Sequence, residues 1–448
     1  METRKNEKLE KRDDAGYYRP HEEAVTERAL LVGVHLIASR PGAPQHHADL
    51  DELQRLAETA GSEVVGRMDQ RRQAPDARSL LGKGKAEQLK QMVETLDANL
   101  VVVDNDLTPA QGRNLEKLVG VKTIDRTELI LDIFARHART RQSRLQVGLA
   151  QYEYLLPRLA KMWSHLERQA GGIGTRGPGE TQIETDRRII RNRINQMKRD
   201  LKKIGRQMET QNKQRENIFR VALAGYTNAG KSSLMNRVSE AEVYVQDELF
   251  ATLDATTRRV QTLDQHAFLL TDTVGFVRNL PHHLVESFRS TLSEVADADL
   301  LLHVVDAGDE DLEGRIEAVD GVLETMNLRD SQERWLVFNK CDTIEDVQRD
   351  GLRRLYPNAL FTSAHSGEGL EELLGELDKR LRREERHMVV RVPSGNGKTL
   401  SRLYEVADVK DTVYENGAAI ITLRVDRENY GRVVHLDDLT VVEVRSRG

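Results

Sequence analysis

Four stretches with different hydrophobic rhythms make up the chain. From residue 28 to about 138, short apolar runs alternate with amphipathic ones. The runs Leu30–Ile37, Glu63–Gly66, Leu100–Val103 and Lys122–Ile124 have strand length, while Asp49–Ala60, Lys83–Leu96, Pro109–Val119 and Thr127–Ala138 have helical spacing. Four such β-α units predict a small parallel sheet with flanking helices. From residue 139 to 217 the period lengthens. Leu145, Leu149, Tyr152, Leu156, Leu159, Trp163 and Leu166 step by four and three, as do Ile190, Ile194, Met197, Leu201, Ile204 and Met208. This spacing on two neighbouring segments predicts a helical hairpin packed along a coiled-coil-like seam. Pro157 should kink the first helix. The second, taken as Glu180–Arg215, would run about 50 Å at about 1.5 Å per residue.

Strand-like runs return between residues 218 and 386, at Phe219–Ala224, Arg259–Leu263, Ala267–Thr271, Leu300–Val305, Trp335–Phe338 and Ala359–Thr362. The amphipathic stretches Leu284–Val295, Leu312–Met326, Asp346–Leu355 and Gly369–Leu381 separate most of them. This is the pattern of a doubly wound sheet with ligand loops at its strand ends. Residues 387–448 hold the strand-like runs Val389–Val392, Ala418–Val425 and Thr440–Val444 and one helical stretch, Leu400–Ala407, a small α+β unit. The expected fold class is therefore α/β and multidomain: residues 1–27 a disordered tail, 28–138 a parallel α/β unit, 139–217 a hairpin, 218–386 a doubly wound domain, and 387–448 a closing α+β unit.

Composition narrows the classes. At 448 residues the chain exceeds one core. No apolar run approaches the roughly 18 residues of a membrane span. Met1 to Glu27 mixes both charge signs with no apolar centre, unlike a secretory signal. The single cysteine, Cys341, excludes an intramolecular disulfide and fits a reducing cytosol. Net charge is −6, but Arg136 to Asn217 carries 19 Lys+Arg against 8 Asp+Glu, a net of +11, so the remainder carries −17. One basic segment in an acidic chain marks a localised polyanion site. It surrounds a tip rich in glycine, Gly171-Gly172-Ile173-Gly174-Thr175-Arg176-Gly177-Pro178-Gly179-Glu180. Arg158, Lys161, His165, Arg168, Arg176, Arg187, Arg188, Arg191 and Arg193 frame it, with Tyr154 and Trp163 nearby. Guanidiniums for phosphate and rings for stacking fit RNA contact, with Arg158, Arg168, Gly172, Arg176, Arg187, Arg188 and Arg191 as candidates.

The strongest chemical signal is Gly225-Tyr226-Thr227-Asn228-Ala229-Gly230-Lys231-Ser232, a G-x-x-x-x-G-K-S loop between a strand-like and a helix-like run. Backbone N–H groups of such a loop close around phosphate oxygens, Lys231 should reach the β- and γ-phosphates, and the Ser232 hydroxyl should bind Mg²⁺. Downstream, Asp272-Thr273-Val274-Gly275 follows a strand; its carboxylate can hold Mg²⁺ through water, and the Gly275 N–H can meet a γ-phosphate. Asn339-Lys340-Cys341-Asp342 follows the next-to-last strand. The Asp342 carboxylate can accept from guanine N1–H and N2–H₂, donors that adenine lacks, so the pocket should select GTP over ATP. Asn339 is expected to share that reading. Ser363-Ala364-His365 follows the last strand and suits a backbone contact to guanine O6. Between these boxes lies a switch segment, Phe250-Ala251-Thr252-Leu253-Asp254; by spacing, Thr252, Thr256 and Thr257 all qualify to complete the Mg²⁺ shell. Phe276 stands where many small GTPases carry a water-orienting Gln, so hydrolysis should be slow without a partner. Two further Gly-Lys loops miss the pattern. Leu81-Gly82-Lys83-Gly84-Lys85 reads as a turn entering a helix, and Gly395-Asn396-Gly397-Lys398-Thr399 lacks its first glycine.

These residues together resemble the HflX family of translation-associated GTPases, over nearly the whole chain from about Leu30. The most specific motifs are Gly225–Ser232, Phe250–Asp254, Asp272–Phe276, the tip Arg168–Glu180 and Leu81–Lys85. The resemblance implies a cytoplasmic, Mg²⁺-dependent GTPase that binds the large ribosomal subunit and its rRNA. Its hairpin loop would enter the peptidyl-transferase region, and the protein would split stalled ribosomes after stress. It implies Thr252 as the switch ligand to Mg²⁺, beside Ser232, with GTP and GDP as nucleotides. Off the ribosome the chain is expected to be a monomer that meets membranes only through ribosomes. Two rival readings are a regulatory GTPase acting on protein partners and an ATP-linked RNA remodeller working through the N-terminal unit.

Overall fold

The structure is a computed structural model that describes residues 26–37, 49–159, 178–213, 218–239, 249–250, 252–264, 266–278, 294–326 and 332–446. Residues 1–25 of the expected tail, the helix at 284–295 except its last residues, Ala251, and the hairpin residues Lys161, Trp163, His165, Arg168, Gly172 and Arg176 lie outside the described residues. The chain divides into two compact units, Met1–Leu129 and Ile130–Gly448.

In the first unit, β1 (Arg28–Leu36), β2 (Glu63–Arg72), β3 (Leu100–Val103) and β4 (Lys122–Asp125) form an all-parallel sheet in the order β2-β1-β3-β4. Helices α1 (Leu50–Thr59), α2 (Lys83–Thr95) and α3 (Pro109–Val119) supply the crossovers, as the alternating pattern predicts. β2 extends past the apolar Glu63–Gly66 to Arg72, because pairing with β1 continues to Leu36↔Arg72 where hydrophobicity has ended. Thr108 opens α3 with a capping box shared with Gln111. The Gly82 turn leads into α2, and its N–H donates to Gln70 Oε1 at 3.0 Å. Arg126 is buried between Glu52 and Asp104 and bonded to both. A buried cation needs such pairing to offset its lost hydration.

Helix α4 (Arg126–His137) carries the chain into the second unit and leads to α5 (Arg141–Leu159) and the long α6 (Pro178–Lys213). At about 1.5 Å per residue, α6 spans about 54 Å. Leu145, Leu149, Ile194 and Met197 are buried, and Lys198 pairs with Glu153 at 2.7 Å. The expected seam therefore exists, but it fades: Leu201 and Ile204 are half-buried, and Met208 is 41% exposed. Pro157 lies within α5, two residues before its described end.

A six-stranded sheet follows, in the order β10-β9-β8-β5-β7-β6. Its strands are β5 (Phe219–Gly225), β6 (Thr256–Gln261), β7 (Ala267–Asp272), β8 (Leu300–Asp306), β9 (Glu333–Asn339) and β10 (Leu360–Phe361). All pair in parallel except β6, which runs antiparallel to β7. The antiparallel pairing starts β6 three residues before the apolar run that marks it in the sequence. Helices α7 (Lys231–Val238), α8 (Leu312–Thr325), α9 (Asp346–Leu355) and α10 (Leu370–Arg383) accompany the sheet. Phe219, Leu223, Leu234, Phe268, Leu302, Val337 and Leu377 belong to its core.

The closing unit is an antiparallel sheet, β12-β13-β11-β14, built from β11 (Arg386–Pro393), β12 (Asp408–Glu415), β13 (Ala418–Val425) and β14 (Thr440–Ser446). Leu403 of α11 (Gly397–Val406) and Val433 of α12 (Arg427–Val434) complete its core. Asn396 caps α11 by accepting the Thr399 N–H, so the second Gly-Lys loop is a helix entry. β12 and α12 are additions to the expected elements. This unit is bound to the six-stranded domain by paired hydrogen bonds from Arg259 to Glu428, at 3.1 and 2.8 Å, and by Arg427 to Asp299 at 3.0 Å. Nearby, His266 at the start of β7 lies between Asp378, 2.7 Å from Nδ1, and Glu385, 2.9 Å from Nε2.

Candidate nucleotide-binding site

Strand order reverses direction around β5, which has β8 on one side and β7 on the other. A crevice at the carboxyl end of that strand is where open α/β sheets bind ligands. The 225–232 loop leaves β5 there and enters α7 at Lys231. Two of its glycines are required sterically. A Cβ on Gly225 would lie 2.1 Å from the Val304 carbonyl oxygen, and one on Gly230, at φ +86°, would lie 2.2 Å from Asn339 Nδ2.

Lys231 is buried, and its ammonium donates to the carbonyls of Gly225 at 3.0 Å and Tyr226 at 2.8 Å. Burial pulls its pKa down to about 8, partly offset by Asp272. A bound phosphate would supply the anionic partner that this desolvated cation favours. Ser232 Oγ donates to Asp272 Oδ2 at 2.6 Å and lies 2.8 Å from Thr252 Oγ1. Of the three candidate threonines, Thr252 stands at Ser232. Thr256 and Thr257 lie on β6, where Thr257 Oγ1 meets Thr271 Oγ1 at 2.9 Å. Burial raises the Asp272 pKa against the opposing pull of Lys231, Ser232 and Thr252. Its Oδ1 is buried and has no hydrogen-bond partner among the described residues. Two hydroxyls and an unclaimed carboxylate oxygen form an all-oxygen donor set, which suits a hard cation such as Mg²⁺.

The second switch segment is fastened to the phosphate loop. Phe276 N–H donates to the Gly225 carbonyl at 3.1 Å, and Thr227 N–H donates to the Phe276 carbonyl at 2.7 Å. The Tyr226 hydroxyl accepts the Arg278 N–H at 2.5 Å, and the Arg315 guanidinium lies 4.1 Å from the Tyr226 ring centre. These contacts hold Gly275 so close that a Cβ there would lie 2.8 Å from Thr227 Cγ2 and 3.1 Å from Lys231 Nζ. The Phe276 side chain is 1% exposed, a core group. Thr273 is likewise buried, with its hydroxyl donating to the Leu223 carbonyl at 2.7 Å.

At the 339–342 and 363–365 loops, Asn339 is 1% exposed and makes a cross-brace: Nδ2 donates to the Ala229 carbonyl at 2.9 Å and Oδ1 accepts the Ala364 N–H at 3.1 Å. It ties the phosphate loop to the last loop, a role that spacing does not reveal. Lys340, at φ +61°, pairs with Asp306 at 2.8 Å. The Asp342 carboxyl is held below its ordinary value, first by a hydrogen bond from Ser363. His365 Nδ1 lies 3.7 Å from Asp342, and its ring is otherwise exposed. Cys341 is fully buried; burial and the neighbouring Glu368 push its thiol up to about 11.

Of the RNA candidates, Arg158 stacks on Tyr154 with 3.4 Å to the ring centre, Arg188 and Arg191 are exposed on α6, and Arg187 is half-buried.

Comparison with known proteins decides the family. Residues 47–135 match the GTP-binding GTPase N-terminal model, 137–215 the GTP-binding GTPase Middle Region, and 220–340 the model described as 50S ribosome-binding GTPase. The GTPase HflX of Escherichia coli K12 is 42% identical over 414 residues, covering 91% of this chain and 95% of its own. This chain belongs to the GTPase HflX family. The HflX proteins of Flavobacterium psychrophilum and Caldanaerobacter subterraneus are each 46% identical, over 77% and 80% of this chain and 88% and 81% of their own. A solved structure, SsGBP with GDP, is 22% identical at a TM-score of 0.43, covering 79% of this chain and 98% of its own. The HflX-family chain is a GTPase: it binds guanine nucleotides and hydrolyses GTP. No described helix is long and apolar enough to cross a membrane.

Proposed function

We propose that this GTPase requires Mg²⁺, binds the large ribosomal subunit through its basic α5–α6 hairpin, and splits or rescues stalled ribosomes under stress. The observation that carries the metal part is the oxygen cluster of Ser232, Thr252 and Asp272, whose members are already within hydrogen-bond reach of one another. Ser232 and Thr252 would hold Mg²⁺ directly and Asp272 through water; when bound, the ion neutralises charge across the β- and γ-phosphates. Lys231 and the loop amides hold the phosphates, the Gly275 N–H faces the γ-phosphate, and Asp342 with the 363–365 loop reads guanine. Because the Phe276 side chain is buried and apolar, it cannot orient the attacking water. A group brought by the partner supplies that geometry, which makes turnover depend on the partner.

The ribosomal part rests on the family description of residues 220–340 and on exposed cations such as Arg188 and Arg191 along α6. The protein would work in the cytoplasm as a monomer and reach membranes only through ribosomes. GTP turnover with and without purified large subunits tests the reading, alongside a splitting assay using GTP or a non-hydrolysable analogue. Turnover should rise with large subunits, and splitting should need the triphosphate state; turnover indifferent to ribosomes refutes the proposal.

A further inference from the structure

The first switch segment is gripped by residues outside the nucleotide domain. Asp254 Oδ2 accepts the N–H groups of Arg139 and Thr140, each at 3.1 Å, and Oδ1 accepts the Thr140 hydroxyl at 2.5 Å. Thr140 is at the same time the N-cap of α5: its Oγ1 accepts the Ser143 N–H at 3.1 Å and its carbonyl the Arg144 N–H at 3.1 Å. The carboxylate is thus bonded to the residue from which the hairpin starts. Four residues earlier, the Phe250 ring meets Phe134 of α4 edge to face, with centroids 4.7 Å apart and planes at 85°. Phe250 is 2% exposed and adopts φ +59°. A bulky side chain holds that backbone conformation only where its surroundings over-determine it. Phe250 and Asp254 flank Thr252, each two residues away.

We propose that Phe250 and Asp254 are positioning residues that use the α4–α5 junction to hold Thr252 at Ser232, so that the base of the hairpin sets the preference for GTP over GDP. The inference rests on the reading of Thr252 as a ligand to the magnesium of the triphosphate state. GDP makes no demand on Thr252, so an anchor that fixes Thr252 favours only the GTP complex. The coupling is reciprocal: GTP firms the junction, and a partner that displaces α5 changes the nucleotide preference.

The test uses the full chain and a fluorescent non-hydrolysable GTP analogue beside fluorescent GDP. Thr140→Val removes the hydroxyl on the hairpin side without touching the nucleotide domain, and Asp254→Asn keeps the shape while removing the charge. Each should weaken the GTP analogue about tenfold, the scale of one lost charge-assisted hydrogen bond, and leave GDP within about twofold. Thr140→Ser should restore wild-type affinity, and the double variant should be no worse than either single one. In nucleotide-free protein, hydrogen exchange at Leu249, Phe250 and Thr252–Asp254 should quicken in Thr140→Val. Equal losses for both nucleotides, additive losses, or no loss overturn the inference. Thr252→Ala separates the two levels: if it alone costs GTP affinity, the anchor is wrong and the metal reading stands; if it costs nothing, both fall.

Discussion

Truncating Asn339 to alanine should loosen the whole nucleotide site while leaving its choice between GTP and GDP unchanged. The side chain is buried and its two polar atoms bridge the Ala229 carbonyl and the Ala364 N–H. Each hydrogen bond is worth about 1 kcal/mol net, and each backbone group left without its partner adds about 1 kcal/mol or more, so the total loss is about 2–4 kcal/mol. If all of it falls on binding, at about 1.4 kcal/mol per decade, affinity drops about 30- to 700-fold. Any share that falls on folding instead lowers the melting temperature, by about 2–4 °C per kcal/mol for a domain of this size. Asn339→Asp sharpens the test. It keeps the acceptor toward Ala364 but places an oxygen where Nδ2 now lies 2.9 Å from the Ala229 carbonyl, so it should bind at least as poorly as the alanine variant. Fluorescent GDP and GTP-analogue titrations with a parallel thermal melt measure both shares. Binding within about threefold of wild type, with an unchanged melt, would refute the view that this brace joins the two loops energetically.

Phe276→Gln should not create a faster enzyme: the side chain is core, so a buried amide costs stability, and a tenfold rise in intrinsic turnover would contradict that placement. Burial opposes the charged form of His266, but the hydrogen bonds its ring N–H groups donate to the Asp378 and Glu385 carboxylates prevail and raise its pKa. A raised histidine pKa gives stability that is fully present below the ordinary value near 6.5 and is lost as pH climbs through the folded-state pKa. Melting followed from pH 6 to 9 should show that decline, flattened in His266→Gln; equal slopes would refute it. Reversing Arg188 and Arg191 to Glu should weaken ribosome co-sedimentation and reduce its salt dependence, since each lost phosphate contact lowers the logarithmic salt slope by about 0.7–0.9; unchanged salt dependence would favour a protein partner instead.

Much of the architecture was legible in the sequence because its elements obey one period each. Leu100–Val103, Pro109–Val119, Asp346–Leu355 and Ala418–Val425 match their apolar patterns residue for residue. β12 escaped because Asp408, Lys410 and Asp411 on an edge strand leave no alternation to detect. α12 is a short, polar helix, although Asp426, which accepts the Asn429 N–H at 2.7 Å, was a readable start signal. The nucleotide loops could be located from spacing, since their chemistry dictates local order. What spacing could not convey is how the loops are tied together. Asn339 holds backbone at positions 110 and 25 residues away, and Asp254 reaches back over a hundred residues to Thr140. Such partners are chosen by the fold, and a single chain carries no mark of them.

The single thiol has a consequence for how this molecule meets electrophiles. With its thiol pushed up to about 11, only about one Cys341 in ten thousand is ionised at neutral pH, and the thiolate is the form that peroxides and alkylating agents attack. Buried within the 339–342 loop, it makes that loop chemically quiet. Labelling with maleimide would therefore report the moment the pocket comes apart, a built-in clock for its opening.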